Sequence, residues 1–238
     1  LEAACDRCRG YFKHIDILRG QVFDAARLEV FRILILGIAG FDAPLSLNSL
    51  KEAATSLESL ENVFSHYARK GKPDGLLPVF QSAAAYLRQH PGFNHFDRAA
   101  FITSYGNPLS RNILRLQDQL KFPVILYNRL LRQDAATLFD KDAFNPDAYA
   151  PGPAFFSSPQ KIALGKKLFS DPTLSGPGTR SCASCHQPDR AFADGKIRNT
   201  VIGSRQLLAR NTPTLLNAAL QPAQFYDLRA VTLEDQVR

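Results

Sequence analysis

The chain has 238 residues, 45% of them hydrophobic, with a formal net charge of +7. That length holds one or two domains with real cores, and the apolar content is ordinary for a soluble globular protein. Lys and Arg are scattered among acidic residues rather than massed in a run, so the charge reads as a mixed solvated surface and not as a nucleic-acid interface. The sequence contains no Met and no Trp. The chain is therefore expected to be processed or a piece of a longer protein, and no residue within it can offer a methionine ligand to a metal.

Cys5-Asp6-Arg7-Cys8-Arg9 opens the chain. The readings weighed for this pair are a local disulfide, free thiols near a frayed end, and a haem attachment site that lacks its histidine. A structural or disordered pair is favoured, because Arg9 stands where an iron ligand would be needed. The longest apolar run, Val30 to Ala39, is broken by Arg32 and Gly37. It is too short to span a bilayer. No signal peptide is visible.

Ile15 to Ala39 reads as one long helix, ended by Gly40 and Asp42-Ala43-Pro44. Leu50, Ala53, Leu57, Leu60, Phe64 and Tyr67 recur at helical spacing, and Gly71 and Pro73 stop that helix. Leu76 to Leu87 forms another helix, closed by Pro91-Gly92. Asp97 is placed to cap a further one, which Asn107-Pro108 interrupts before Leu109 to Leu120 continues. A shorter apolar segment runs from Val124 to Leu131. The expectation is an antiparallel helical bundle over residues 1–150, of no assignable role. His14, His66, His90 and His95 fall within it. Each reads as an ordinary surface or core histidine, although one could reach a haem from outside its own domain.

Between Leu138 and Pro159 the composition shifts to Asp, Pro, Phe, Gly and Ser, which marks a linker with a boundary near Ala150. Ser158 then caps a helix with Pro159 in its first turn. Ile162, Leu164 and Leu168 mark that helix, and Asp171-Pro172 ends it. The loop Ser175-Gly176-Pro177-Gly178 leads to Cys182-Ala183-Ser184-Cys185-His186. This is C-x-x-C-H, the attachment sequence for a c-type haem. Two thiols on a short turn add to the porphyrin vinyl groups, and the adjacent histidine becomes the proximal iron ligand. A zinc half-site would need two further ligands, and no second cluster follows. A thioredoxin-like pair belongs in a βαβ context, whereas these surroundings read as helical. The order helix, loop, C-x-x-C-H begins a class I cytochrome c fold. The expected class is thus all-α: a helical bundle, then a cytochrome c-like haem domain over residues 151–238. Covalent attachment of c-type haem takes place outside the cytoplasm, which leads to the expectation of a periplasmic protein.

Further blocks surround the motif. They are Ala163-Leu164-Gly165-Lys166-Lys167-Leu168-Phe169, Asp171-Pro172-Thr173-Leu174-Ser175, Phe192-Ala193-Asp194-Gly195, Arg210-Asn211-Thr212-Pro213-Thr214-Leu215-Leu216-Asn217 and Phe225-Tyr226-Asp227-Leu228-Arg229-Ala230. From Ser158 to Arg238 the chain resembles the bacterial di-haem cytochrome c peroxidase family, which includes MauG-type enzymes. The match is to the family's N-terminal domain, which carries the peroxidatic haem.

The resemblance implies an enzyme that reduces hydrogen peroxide with electrons from a small cytochrome or cupredoxin, passed through a second haem. It implies one covalent haem c in these residues, anchored by Cys182 and Cys185 with His186 on the iron. Tyr226 occupies the position of an inter-haem tryptophan. Asn211 matches a position that helps to bind calcium between haem domains; its plain alternative is a turn-forming residue before Thr-Pro. Arg210 and Arg229 are candidates to pair with propionates or carboxylates, and for Arg210 a surface salt bridge is preferred.

Three departures from the family pattern matter. The chain stops at Arg238, inside a block after which the family continues with a catalytic glutamate and a second C-x-x-C-H domain. A longer natural protein is therefore expected, and an intact mass equal to this chain plus one haem would refute that. Where many members place a distal histidine after Ile-Gly, Ser204 follows Ile202-Gly203, and no histidine follows His186. The iron is accordingly expected to have no strong distal protein ligand. Tyr226, in place of tryptophan, puts the usual electron path in doubt. The alternatives are a pure electron-transfer cytochrome, which usually pairs His with Met, and a MauG-like oxidase acting on a partner protein.

Overall fold

The computed structural model describes residues 2–13, 15–68 and 75–236, so His14, Gly71, Pro73 and Arg238 lie outside the described residues. By compactness the chain divides into two units, Leu1–Tyr127 with Leu131–Ala143, and Asn128–Leu130 with Phe144–Arg238. Both are helical, and among the described residues no strands pair into a sheet. Isolated antiparallel bridges include Gln187–Ala193, Thr200–Leu207 and Gln224–Ala230. No helix among the described residues is long and apolar enough to cross a membrane.

The first unit contains α1 (Glu2–Phe12), α2 (Arg19–Arg32), α3 (Ser49–Ala68), α4 (Leu76–Gln89), α5 (Arg98–Phe101) and α6 (Asn107–Gln119). Each of the longer helices buries one stripe. On α2 it is Phe23, Ala26, Val30 and Phe31; on α4, Leu76, Phe80, Ala83, Ala84 and Leu87; on α6, Leu109, Ile113 and Leu116. These i, i+3, i+4, i+7 spacings put every member on one side of a 3.6-residue helix. The stripes meet where α3 packs on α4, α2 on α6 and α4 on α6. Phe23 lies edge-on to Phe64 and Tyr67, with ring centroids 5.1 and 5.2 Å away. Phe23→Ala should lower the stability of this unit by roughly 3–5 kcal/mol, the usual cost of emptying a buried phenylalanine site. Chemical denaturation followed by helical circular dichroism will measure it, and a loss below about 1 kcal/mol would mean that the cluster is not packed as described.

The long helix expected from Ile15 to Ala39 is shorter and not uniform. It begins only at Arg19, because Leu18 is extended and its N–H donates to the Gln21 side chain at 2.9 Å. It ends in a π turn, Ile33–Gly37, before Gly40 takes a φ of +79°. A side chain at Gly40 would collide with the Phe93 ring. A second π turn, Ile102–Gly106, joins α5 to α6, with the Asn107 N–H reaching back to Ile102 O. This widened turn carries the chain past Pro108, which has no N–H to give. Asp97 caps α5 as expected, its carboxylate accepting from the Ala100 N–H at 2.9 Å.

The apolar segment Val124 to Leu131 is not helical. Lys121 turns the chain with a φ of +57°, and Pro123 follows. The segment's backbone is instead met by side chains of the bundle, Gln117 Nε2 donating to Pro123 O at 3.1 Å.

Cys5 and Cys8 are exposed free thiols on α1, with no disulfide between them. His66, His90 and His95 are all exposed. The Nδ1 atoms of His66 and His90 bond the carbonyls of Asn62 and Tyr86, one helical turn back, at 2.9 and 2.8 Å. They are ordinary surface residues of their helices.

The second unit is built differently. It has one helix of regular length, α7 (Pro159–Ser170), a four-residue α8 (Leu233–Gln236), and single 3-10 turns between them, joined by loops. Ser158 caps α7, its hydroxyl accepting from the Lys161 N–H at 3.2 Å. Yet α7 buries none of its residues, Ile162 and Leu164 included. Among the described residues of this unit the sole buried hydrophobic side chain is Ala230, whereas Asp194, Asn199, Thr212 and Gln224 are buried polar residues.

Candidate haem-binding site

Cys182, Cys185 and His186 share one short turn. Ser181 is extended, and its N–H donates to Ser184 Oγ at 3.0 Å. The Cys185 and His186 N–H groups both donate to Cys182 O, at 3.2 and 2.9 Å. This winding brings both cysteines and the histidine onto one 3-10 turn, against which α7 packs. Both cysteines are free thiols, Cys182 exposed and Cys185 half-buried.

The orientation of His186 carries the most information. Its Nδ1 lies 3.0 Å from Phe192 O and 3.1 Å from Pro213 O. A carbonyl oxygen only accepts, so Nδ1 must carry a proton, and in the neutral ring the lone pair is then on Nε2. The imidazole is thereby presented as a neutral Nε2 ligand, the arrangement in which metal-binding histidines are held by a partner on the far nitrogen. The Phe192 carbonyl reaches it because Ala191 and Phe192 both adopt left-handed backbone, with φ of 53° and 59°. Two successive non-glycine residues in that region are uncommon and cost energy, a feature that collects at functional sites.

A buried polar cluster stands behind this turn, and the sequence assigned it no role. Asp194 Oδ2 accepts from Asn199 Nδ2 and from Thr212 Oγ1, both at 2.8 Å, and Oδ1 accepts from the Lys196 N–H at 2.9 Å. Asn199 Nδ2 also donates to Cys185 Sγ at 3.3 Å. The Lys196 N–H, with Thr212, Asn199 and the nearby Lys196 charge, holds the Asp194 carboxyl below its ordinary value, against the opposing effect of burial. A depressed folded-state pKa adds stability that is complete above the unfolded value and is lost as pH falls through the folded value. Acid titration should therefore erode the stability of this unit as pH falls through and below the usual carboxylate range, and Asp194→Asn should lower its stability at neutral pH and remove that part of the acid dependence. An acid midpoint unchanged in the variant would show that Asp194 does not govern it.

The other expected residues lie on the 201–236 segment. Arg229 pairs with Asp227 at 2.8 Å and lies 3.6 Å over the Phe225 ring. Arg210 does not form the preferred surface salt bridge among its described contacts. Its guanidinium sits 4.6 Å over the Tyr226 ring instead, because a planar cation stacks readily on an exposed aromatic face. Tyr226 is 84% exposed. Asn211 is an exposed loop residue. Ser204 is exposed, its hydroxyl accepting from the Gln206 N–H at 2.9 Å.

The structure gives an independent test of whether a porphyrin suits these residues. The turn offers two thiols and an imidazole nitrogen, and elsewhere in the same unit Ile197 is 90% exposed and Val231 67% exposed. The donor set, two free thiols and an imidazole nitrogen on one short turn, suits a haem iron held through thioethers.

Two thiols followed by a histidine on one turn are the donor set of a c-type haem site. Residues 159–238 match the family described as di-haem cytochrome c peroxidase. The methylamine utilization protein MauG of Methylorubrum extorquens is 44% identical over 108 residues, which is 45% of this chain and 30% of that protein. The cytochrome c peroxidase Ccp of Escherichia coli K12 is 45% identical over 78 residues, 32% of this chain and 16% of that protein. The cytochrome c551 peroxidase of Pseudomonas aeruginosa is 42% identical over 81 residues, 34% of this chain and 23% of that protein. The chain thus spans less than a third of the length of these relatives. No solved structure matches it. Likeness to this family points to haem c as the cofactor.

Proposed function

We propose that residues 151–238 form a peroxidatic haem domain and that the chain acts as a haem c-dependent peroxidase. It would reduce hydrogen peroxide to two waters, taking up two protons and two electrons from a small cytochrome or cupredoxin in the periplasm. The observation that carries the reading is the orientation of the His186 ring, with Nδ1 within hydrogen-bond distance of two carbonyls and Nε2 left as the donor atom. The names of the relatives, two of the three being peroxidases, support it.

When bound, the haem supplies an iron with a sixth position at which peroxide is reduced. The chain's own residues do the rest. Cys182 and Cys185 anchor the macrocycle through thioethers. His186 would hold the iron and is kept from turning by its two acceptors. Ser204, at the position where many family members carry a histidine, would bind iron poorly. Arg210, stacked on Tyr226, and Arg229, braced by Asp227, are cationic groups suited to the propionates or to an incoming redox partner. Asn211 is our candidate oxygen donor to a calcium ion. Residues 1–150 are a helical extension.

Steady-state turnover with hydrogen peroxide and a reduced small cytochrome c tests the proposal. Donor oxidation with the stoichiometry of two electrons per peroxide is expected, and His186→Ala should abolish it. Likeness to methylamine utilization protein MauG favours one second reading, oxidation of a partner protein in place of a soluble donor. Peroxide consumption without donor oxidation would select that reading.

A further inference from the structure

The two carbonyls that hold His186 come from different loops, and one carboxylate ties both loops together. Phe192 O lies two residues before Asp194. Pro213 O follows Thr212, whose buried hydroxyl donates to Asp194 Oδ2 at 2.8 Å. Asp194 also receives Asn199, and Asn199 spends the second hydrogen of its amide on Cys185 Sγ. A second link runs between the same loops, from Thr214 Oγ1 to Ala191 O. Asp194 is nearly inaccessible to solvent, at 2% exposure, and both of its oxygens are engaged.

We infer that Asp194 is a positioning residue for the iron ligand, acting on His186 through the carbonyls of Phe192 and Pro213 and on Cys185 through Asn199. This rests on the haem-binding reading above. The physical consequence is electronic as well as geometric. A hydrogen bond from Nδ1–H to a well-placed acceptor raises the basicity of the ligating nitrogen. A more basic ligand favours the ferric state and lowers the reduction potential of the iron. Loosening the Thr212 tie lets Pro213 O drift from Nδ1, which weakens that bond and raises the potential. A residue that merely stabilised the fold would change the melting temperature and leave the potential where it was.

The test compares Thr212→Val with Thr212→Ser in the full haem-loaded chain. Thr212→Val removes the hydroxyl that links the carboxylate to the 213 loop, Thr212→Ser keeps it, and neither depends on Asp194→Ala folding. Spectroelectrochemical titration should show a midpoint potential shifted upward in Thr212→Val and returned to the wild-type value in Thr212→Ser. Asp194→Asn, which keeps an acceptor oxygen, should lie between them. A Thr212→Val protein with one covalent haem and an unshifted potential would overturn the inference, even if it melted earlier. Pyridine haemochrome analysis of the wild-type chain separates the two levels of the argument. Its failure to show a c-type haem would sink the haem-binding reading itself, and the positioning role with it.

Discussion

A chain carrying Cys182→Ala and Cys185→Ala will lack covalent haem, and its residues 144–238 will not fold, while the helical bundle keeps its own melting transition. The reason lies in where each unit finds its core. Ordering a chain costs roughly 1–2 kcal/mol per residue in backbone entropy. The first unit offsets this with fully buried side chains such as Phe23, Leu57, Phe80 and Ile113. The second buries only Ala230 among its described hydrophobic residues and leaves Ile197, Leu228 and Val231 in contact with water. Apolar surface buried against a covalently held porphyrin would supply what the polypeptide does not, at about 25 cal/mol for each Å² removed from water. Limited proteolysis should cut the variant throughout residues 144–238 and spare α2 to α6. A variant without haem that resisted protease as well as the wild type would contradict this account of the domain's core.

The ferric protein as isolated will be mainly high-spin by electron paramagnetic resonance, and it will react with hydrogen peroxide without prior reduction. No methionine exists in the sequence, and no histidine follows His186. Ser204 has its hydroxyl engaged with the Gln206 N–H. His66 and His90 are tied to carbonyls of their own helices. None of these residues is set up as a strong sixth ligand. The rate of reaction with peroxide should be no lower for the oxidised protein than after prior reduction, and Ser204→His should convert the spectrum to low-spin and slow that reaction. A purely low-spin bis-histidine spectrum in the wild type would sink the prediction, with His90 or His95 the first suspect.

Local chemistry was legible in the sequence, and long-range polar contacts were not. Ser158 and Asp97 cap helices because a side-chain oxygen three residues before a free N–H is a purely local arrangement. The buried stripe of α4 could be read because helical periodicity repeats in the sequence itself. The C-x-x-C-H motif is local as well. Other expectations failed on local signals that went unread or on contacts between more distant residues. The Leu18 to Gln21 bond moves the start of α2, and Pro123 with the turn at Lys121 removes helix from the segment that follows. Arg210 found an aromatic face rather than a carboxylate.

Ile162 and Leu164 mark a helix, but they point to no protein core. Periodicity shows which face is apolar and not what will cover it. The Asp194 cluster escaped notice because its members lie at positions 194, 199 and 212, with no periodic relation among them. The available signal was the run of Asp, Asn and Thr closely following a ligand histidine, since such ligands are usually braced by a second set of polar groups.

The claim at the centre is that one haem c hangs on Cys182 and Cys185, with His186 beneath its iron. The direct measurement is a pyridine haemochrome spectrum of the full chain matured in an oxidising compartment, with mass mapping of the haem-bearing peptide. The account predicts one c-type haem per chain, on the peptide that contains Cys182-Ala183-Ser184-Cys185-His186. Absence of covalent haem, or a second haem located on Cys5 and Cys8, would contradict it.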